Sequence, residues 1–222
     1  MALHAAEEET IESLKRWWKE NGKQLVVLVI VVFAGYTGWL LWQNARLDKA
    51  EAASDLYEEI LTLVNTEPGV PISASSSRRI LEAADELQTE YSNSVYAMFA
   101  ALFAAQQHVR DNDLDAAEAS LQWILDNAKT GILKQTDDGL LLTTNLRLGR
   151  VLLAKGEHER VLTLVNGIDP KTFAPAFDEL RGDVYNAMGR AEDAREAYEA
   201  AQQAGSNSEA LRMKLAELAD ET

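Results

Sequence analysis

Residues 180–201 read LRGDVYNAMGRAEDAREAYEAA. Gly182, Tyr185, Gly189, Ala194, Tyr198 and Ala201 follow one another at spacings of three, four, five, four and three. Apolar or small residues three and four apart lie on one helical face, and a Gly between two such runs ends the first helix. The same order recurs earlier. Gly149 precedes Gly182 by 33 residues and Gly156 precedes Gly189 by 33, with Leu148, Leu152, Val161, Val165 and Ile168 in register. A looser copy, Ala105, His108, Asn112, Ala117, Leu121 and Ile124, lies 44 residues before the middle one. The extra eleven residues are assigned to a loop at Lys129–Gly139.

Three copies in register at this period resemble the tetratricopeptide pattern of paired helices. Gly149, Gly182, Ala117 and Ala194 are small so that paired helices cross closely. Tyr185 and Tyr198 are expected to fill the space between one pair and the next. Gly156 and Gly189 suit the left-handed residue that closes the first helix of a pair. No stretch alternates with period two, so the fold class is all-α, an α-solenoid in which stacked pairs bury what one pair cannot. The spacing predicts helices at 44–66, 77–90, 94–110, 113–127, 138–155, 157–167, 172–188, 191–204 and 207–220. Pro68-Gly69, Pro71 and the Ser73–Ser77 run read as a loop. Leu211, Leu215 and Leu218 form one stripe on the last segment, which reads as the helix capping the open end of the stack.

Upstream, Leu25–Trp42 reads LVVLVIVVFAGYTGWLLW, 18 residues without a charge. At about 1.5 Å per residue it spans roughly 27 Å, near the thickness of a bilayer's hydrocarbon core. Trp17, Trp18, Trp39 and Trp42 flank it as interfacial aromatics do. A buried core helix would carry a polar face. A cleaved signal peptide, with Ala50-Glu51-Ala52 as its site, is disfavoured by the long acidic lead and the bulky Trp ending. Lys15, Arg16, Lys19 and Lys23 precede the run, whereas Arg46 and Lys49 follow it, which places the N-terminus in the cytoplasm. Ile11, Leu14 and Trp18 share one face of a short amphipathic helix over Thr10–Glu20, with Asn21-Gly22 as its expected end. Ala34 and Gly38 form a small-xxx-small face for packing against a membrane helix. The division expected is a cytoplasmic segment 1–24, a transmembrane helix 25–42, a stalk helix and loop 43–76, and a repeat domain 77–222. The stalk, apolar at Leu47, Leu56, Ile60, Leu63 and Val64, is expected to pack on the first repeats.

The chain of 222 residues carries 21 Lys and Arg against 36 Asp and Glu, a formal charge of −15. Only four of the basic and five of the acidic residues precede Arg46, so the excess negative charge belongs to the repeat part. That balance argues against nucleic-acid binding. The absence of Cys excludes disulfides, thiolate metal sites and cysteine nucleophiles. Of the three His, His108 occupies a helix-filling position and reads as a packed core residue. His158 lies in a charged helix start and reads as solvated. Asp111, Asp113 and Asp115 alternate but lack the Gly and downstream Glu of a calcium loop, so they read as helix-start acids. No phosphate-cradling Gly loop, metal-ligand His spacing or nucleophile setting occurs. No catalytic, cofactor-binding or metal residue is assigned, no cofactor is expected, and the enzyme reading is set aside.

A protein-binding surface remains. The first helix of each pair lines the inner face of a curved stack. By register that face displays Phe99, Leu102 and Gln106, then Thr143, Leu146 and Arg150, then Glu179, Asp183 and Asn186. Such a face holds a peptide by apolar contact with polar groups fixing its register. Alternatively these residues pack on helix 44–66 and leave no groove.

The lead into Glu20-Asn21-Gly22-Lys23, the anchor ending in Trp39 and Trp42, the segments Leu146–Val151 and Leu180–Asp183, and the repeat tail together resemble the YfgM family. These are ancillary subunits of the SecYEG translocon. The resemblance implies a single-pass protein of the bacterial inner membrane with a periplasmic repeat domain. It implies partners in SecYEG and in a PpiD-like, membrane-anchored periplasmic chaperone. It implies a role in passing translocated client proteins to periplasmic chaperones, with no catalytic residues to carry over. The alternative is a structural scaffold for another envelope complex, such as one for division or cytochrome maturation, without client handling.

Overall fold

The computed structural model describes residues 2–65, 71–128 and 137–220. It divides into two units, Met1–Ala52 and Ala53–Thr222. Helix α1 (Ala2–Val64) runs through the first and into the second. The remaining helices are α2 (Ala74–Glu90), α3 (Val95–Arg110), α4 (Leu114–Ala128), α5 (Asp138–Ala154), α6 (His158–Asn166), α7 (Ala174–Ala187), α8 (Ala191–Gln203) and α9 (Glu209–Asp220). A 3-10 turn, Lys171–Phe173, leads into α7. Among the described residues there is no strand, as the all-α reading expects.

In the first unit the apolar run is helical throughout and long and apolar enough to cross a membrane. None of its apolar side chains is buried within the protein, so the core-helix reading fails. The aliphatic hydroxyl of Thr37 donates to the Phe33 carbonyl at 2.9 Å and the Ala34 carbonyl at 3.1 Å. An internal partner of this kind removes the cost of carrying a polar group through hydrocarbon. Arg46 lays its guanidinium over the Trp42 ring, 4.8 Å from the centroid, at the end of the run.

The helix end expected at Asn21-Gly22 is absent, because α1 continues through both residues. The Asn21 side-chain amide donates back to the Trp17 carbonyl at 3.2 Å instead of breaking the turn. Gly22 lies beneath the Trp18 indole, where a Cβ would sit 3.2 Å from the ring.

In the second unit the helices pair as the register predicts, α3 with α4, α5 with α6, and α7 with α8, and α9 closes the end. Each first helix stops in the same way. Asn112, Gly156 and Gly189 have φ of 58°, 78° and 74°. The next amide reaches back five residues: Asp113 to the His108 carbonyl at 2.8 Å, Glu157 to Leu152 at 2.9 Å, Arg190 to Tyr185 at 2.9 Å. This double-bonded left-handed cap satisfies carbonyls that the helix end would leave bare. Asn tolerates the conformation better than other non-glycine residues, which explains Asn112 in the earliest copy. Gly205, φ 110°, ends α8 likewise.

Several expected boundaries shift. The Ser73–Ser77 run is not loop. Ser73 caps α2 by accepting from the Ser76 amide at 3.1 Å, and Ser75–Ser77 form the first turn. The inserted loop ends at Asp137, which caps α5 through the Gly139 and Leu140 amides at 2.9 and 3.3 Å. Residues 129–136 of that loop and the Pro68-Gly69 turn lie outside the described residues.

The core falls into three clusters along the stack. From Ala53 onward α1 packs on the first repeats, with Ala53 and Ile60 buried among Ile80, Ala84, Leu87 and Ala100 and Leu56, Leu63 and Val64 against them, whereas Leu47 of the expected stripe is 60% exposed. Glu59 pairs with Arg79 at 2.6 Å beside them. The middle core gathers Leu121, Ile124, Leu152, Val161, Phe177 and Leu180. The end core gathers Ala194, Tyr198, Leu211 and Leu218, so the α9 stripe does cap the stack. Full burial of each Leu or Ile contributes about 1.5–3 kcal/mol.

Two glycines admit the closest contacts. A Cβ on Gly149 would lie 2.5 Å from Leu180 Cδ2 of α7, so this Gly serves the junction with the next pair as well as its own. A Cβ on Gly182 would overlap the Tyr198 ring. Tyr198 therefore fills space inside its own pair, against α7. The expectation that it sits only between pairs is corrected. Its hydroxyl, donating to Asp183 Oδ1 at 2.8 Å, locks the ring in place. Gly182→Ala should lower stability by about 1–3 kcal/mol through overpacking, overriding the ~1 kcal/mol that Ala gains over Gly by helix propensity. Urea denaturation measures the sign, and a more stable variant would refute the account.

Candidate functional site: the inner face of the repeats

The nine residues predicted for the inner face meet three different fates. Leu102 and Leu146 are buried in the middle core. Phe99 is half-buried, its ring 6.3 Å from that of Tyr57 on α1. Tyr57 also stacks on Tyr96 at 5.3 Å and touches Phe103, so α1 covers the inner face at its first position. The alternative reading, in which helix 44–66 packs on these residues, holds there and not beyond. Thr143 is half-buried.

At the other end α9 occupies the face. Lys214 sits between Glu179 Oε1 at 2.9 Å and Asp183 Oδ1 at 2.6 Å, and over the Tyr198 ring. Burial would lower the Lys214 ammonium, but the Asp183 and Glu179 carboxylates outweigh it and raise its pKa. Burial, reinforced by the neighbouring Asp183 carboxylate, pushes the Tyr198 phenol far above its usual range. Lys214 thus offsets part of the charge of Glu179 and Asp183 from within. Asn186 stays exposed beside them.

Between these covered ends the face is open. A cavity of about 360 Å³ lies where α3, α4 and α5 meet. Leu121 and Val151 form part of its apolar lining; Gln106 and Val109 of α3 and Arg147 and Arg150 of α5 also border it. Gln106, Arg147 and Arg150 are exposed, as is Val109 at 46%. Sequence reading named Gln106 and Arg150 but missed Arg147. The signal was its spacing, three residues before Arg150 and so on the same side of α5.

The two arginines differ from most basic residues around them. Arg79, Lys155, Arg160, Lys171, Arg181, Arg190 and Lys214 each pair with a carboxylate. Among the described residues no acidic side chain pairs with Arg147 or Arg150.

A charged cluster braces the turn ends next to the cavity. Lys155 reaches Asp115 at 2.6 Å, Glu118 at 2.5 Å and Glu157 at 3.2 Å. Arg160 meets Glu118 at 2.6 Å and also pairs with Glu157. Asp113 caps α4 through the Ala116 amide at 3.0 Å, in line with the helix-start reading, while Asp115 adds an ion pair with Lys155 that the sequence reading did not include. His108 and His158 are both only half-buried, neither the packed core residue nor the fully solvated one that sequence suggests.

Outside the repeats, Ala34 is exposed and a Cβ on Gly38 would meet nothing within 4 Å. Among the described residues nothing is packed on Gly38.

The brace has a pH signature. Hydrogen bonds from Lys155 lower the Asp115 and Glu118 carboxyls from 3.8 and 4.5, and one from Arg160 lowers Glu157 from 4.5. Groups lowered on folding stabilise above their unfolded values and lose that contribution as pH falls through the folded ones. Lys155 is raised above 10.5, chiefly by Asp115, so its share persists below that value and fades only as pH rises further. The stability difference between the wild type and Lys155→Met should therefore hold at neutral pH and shrink below about pH 4.5. Urea midpoints at pH 7, 5 and 3 measure it; parallel losses in both proteins would exclude the cluster.

A family model described as a tetratricopeptide repeat-like domain matches residues 15–220. The chain is 32% identical over 215 residues to a protein of Haemophilus influenzae named Ancillary SecYEG translocon subunit, covering 97% of this chain and 98% of that one. It is 32% identical over 200 residues to a protein of that name in Escherichia coli, covering 90% and 89%. A third, from Neisseria gonorrhoeae, is 31% identical over 199 residues, covering 89% and 88%. No solved structure matches the chain significantly.

Proposed function

The chain belongs to the YfgM family of tetratricopeptide repeat-like, ancillary SecYEG translocon subunits, and from that premise we propose that it is an inner-membrane protein working beside the Sec translocon. The carrying observation is the nearly full-length similarity to the Haemophilus influenzae protein. It takes in both the unpartnered apolar helix and the repeats, so anchor and binding domain belong to one design. Tethering at a translocon would raise the effective concentration of the repeats for anything emerging there.

In this reading the N-terminus is cytoplasmic and the repeat domain periplasmic, as Lys15, Arg16, Lys19 and Lys23 favour. The repeat domain binds proteins and performs no catalysis. Its partners are SecYEG and a PpiD-like periplasmic chaperone, and its work is to pass translocated clients onward. The part of the inner face around Gln106, Arg150 and Asn186 is the docking surface, because these predicted residues stay exposed. Ala34 and Gly38 are the proposed contact with a membrane helix of the partner.

Orientation is directly testable because the chain has no Cys. Ser206→Cys should react with a membrane-impermeant maleimide in spheroplasts and Ser13→Cys only after lysis; the reverse pattern would invert the topology. Deleting residues 1–45 should abolish membrane association and co-purification with SecYEG. Equal co-purification without them would overturn the tether. In-cell crosslinking from Gln106, Arg150 and Asn186 should trap the chaperone and several translocated proteins. Capture of one folded envelope protein alone would favour a scaffold.

A further inference from the structure

We propose that the cavity between α3, α4 and α5 docks an extended protein segment carrying a carboxylate side chain next to an apolar one, with Arg147 and Arg150 gripping the carboxylate. This rests on the protein-binding reading above and specifies the chemistry of what is bound.

Charge complementarity carries the argument. The protein bears a net charge of −15, and among the described residues eight of its 21 Lys and Arg are paired with its own carboxylates, including those on the turns next to the cavity. Arg147 and Arg150 are exposed, border one apolar cavity, and have no acidic partner among the described residues. Three residues apart on one helix, they present two planar donor forks to the same side. Such forks match a carboxylate in bidentate fashion, better than a lysine would.

The apolar half of the ligand follows from the lining. Leu121 and Val151 are almost wholly buried, while Val109 is left 46% exposed at the edge. At about 360 Å³ the space takes one or two side chains and not a folded partner. It falls at the small end of the roughly 300–1,000 Å³ typical of ligand pockets. Gln106, exposed at the border, supplies a donor and an acceptor for the segment's backbone. The negative surroundings restrict where that carboxylate is welcome. At physiological ionic strength fields decay over about 8 Å, so the two guanidinium groups prevail at contact range while a carboxylate placed elsewhere is repelled. The site therefore selects the register of the segment as well as its composition.

The test uses the full chain in detergent micelles at physiological salt. The probe is the end-blocked peptide Gly-Ser-Leu-Asp-Phe-Ser-Gly with an uncharged fluorophore, against the same peptide with Asn replacing Asp, read by anisotropy. The Asp peptide should bind at least about fivefold more tightly than the Asn peptide. Arg147→Gln with Arg150→Gln should erase that preference. Ala154→Trp, which fills the cavity from an exposed position, should weaken both peptides. Arg78→Gln, an exposed arginine on α2 outside the lining, should change nothing. Equal binding of the two peptides, no binding of either, a preference surviving the double substitution, or its loss in Arg78→Gln would each overturn the proposal. Circular dichroism confirms that the variants are folded. No translocon is present in this assay. A null result here therefore leaves the translocon reading standing, and a failure of co-purification leaves the peptide preference intact.

Discussion

The repeat domain depends on a left-handed residue placed after each first helix of a pair. Asn112, Gly156 and Gly189 turn the chain within three residues and bring the second helix back against the first. Because the following amides take up otherwise bare carbonyls, the turn costs no buried unsatisfied group. Its geometry then sets which side chains meet. Gly149 faces Leu180, and Gly182 faces Tyr198, where any Cβ would collide. Pairs that approach this closely expose apolar flanks that only the next pair can cover, so the core propagates along the stack.

Propagation must stop at both ends, and the chain uses different devices. At the start, the portion of α1 beyond Ala53 packs Ile60 into the first core and lays Tyr57 against Tyr96, Phe99 and Phe103. At the finish, α9 buries Leu211 and Leu218 and drives Lys214 between Glu179 and Asp183. Each closure also covers part of the inner face. What stays open lies in the middle, at the α3–α4–α5 junction, where apolar lining coincides with two arginines that have no acidic partner among the described residues. The binding surface is thus defined as much by the caps as by the repeats.

The first unit follows a different logic. Among the described residues none of the apolar side chains of its membrane-length run is buried, and the Thr37 hydroxyl within that run is satisfied by its own backbone. A helix of this kind is stable in a medium without water and unfavourable in water. That contrast, more than any motif, marks where the chain meets a bilayer. It also explains why helix propensity at Asn21-Gly22 was a poor guide. A weak local stop signal yields when a side chain can bond back to the helix and an indole covers the glycine.

Sequence alone determined most of the helices of the repeats, their pairing and the left-handed turns at Gly156 and Gly189, because these follow from spacing and from the steric privilege of Gly; the turn at Asn112 was legible only as a register position. It also determined the unpartnered membrane-length run, since absence of charge over 18 residues needs no tertiary information. It did not determine which inner-face residues are free. Phe99, Leu146 and Glu179 lie on the same predicted inner face as Gln106 and Arg150, yet only contacts between distant segments decide who is covered. Tyr57 lies 42 residues from Phe99, and Lys214 lies 35 from Glu179. Periodicity encodes which face a side chain takes, a local property of one helix. Whether another element arrives to cover that face depends on the tertiary packing of the whole stack.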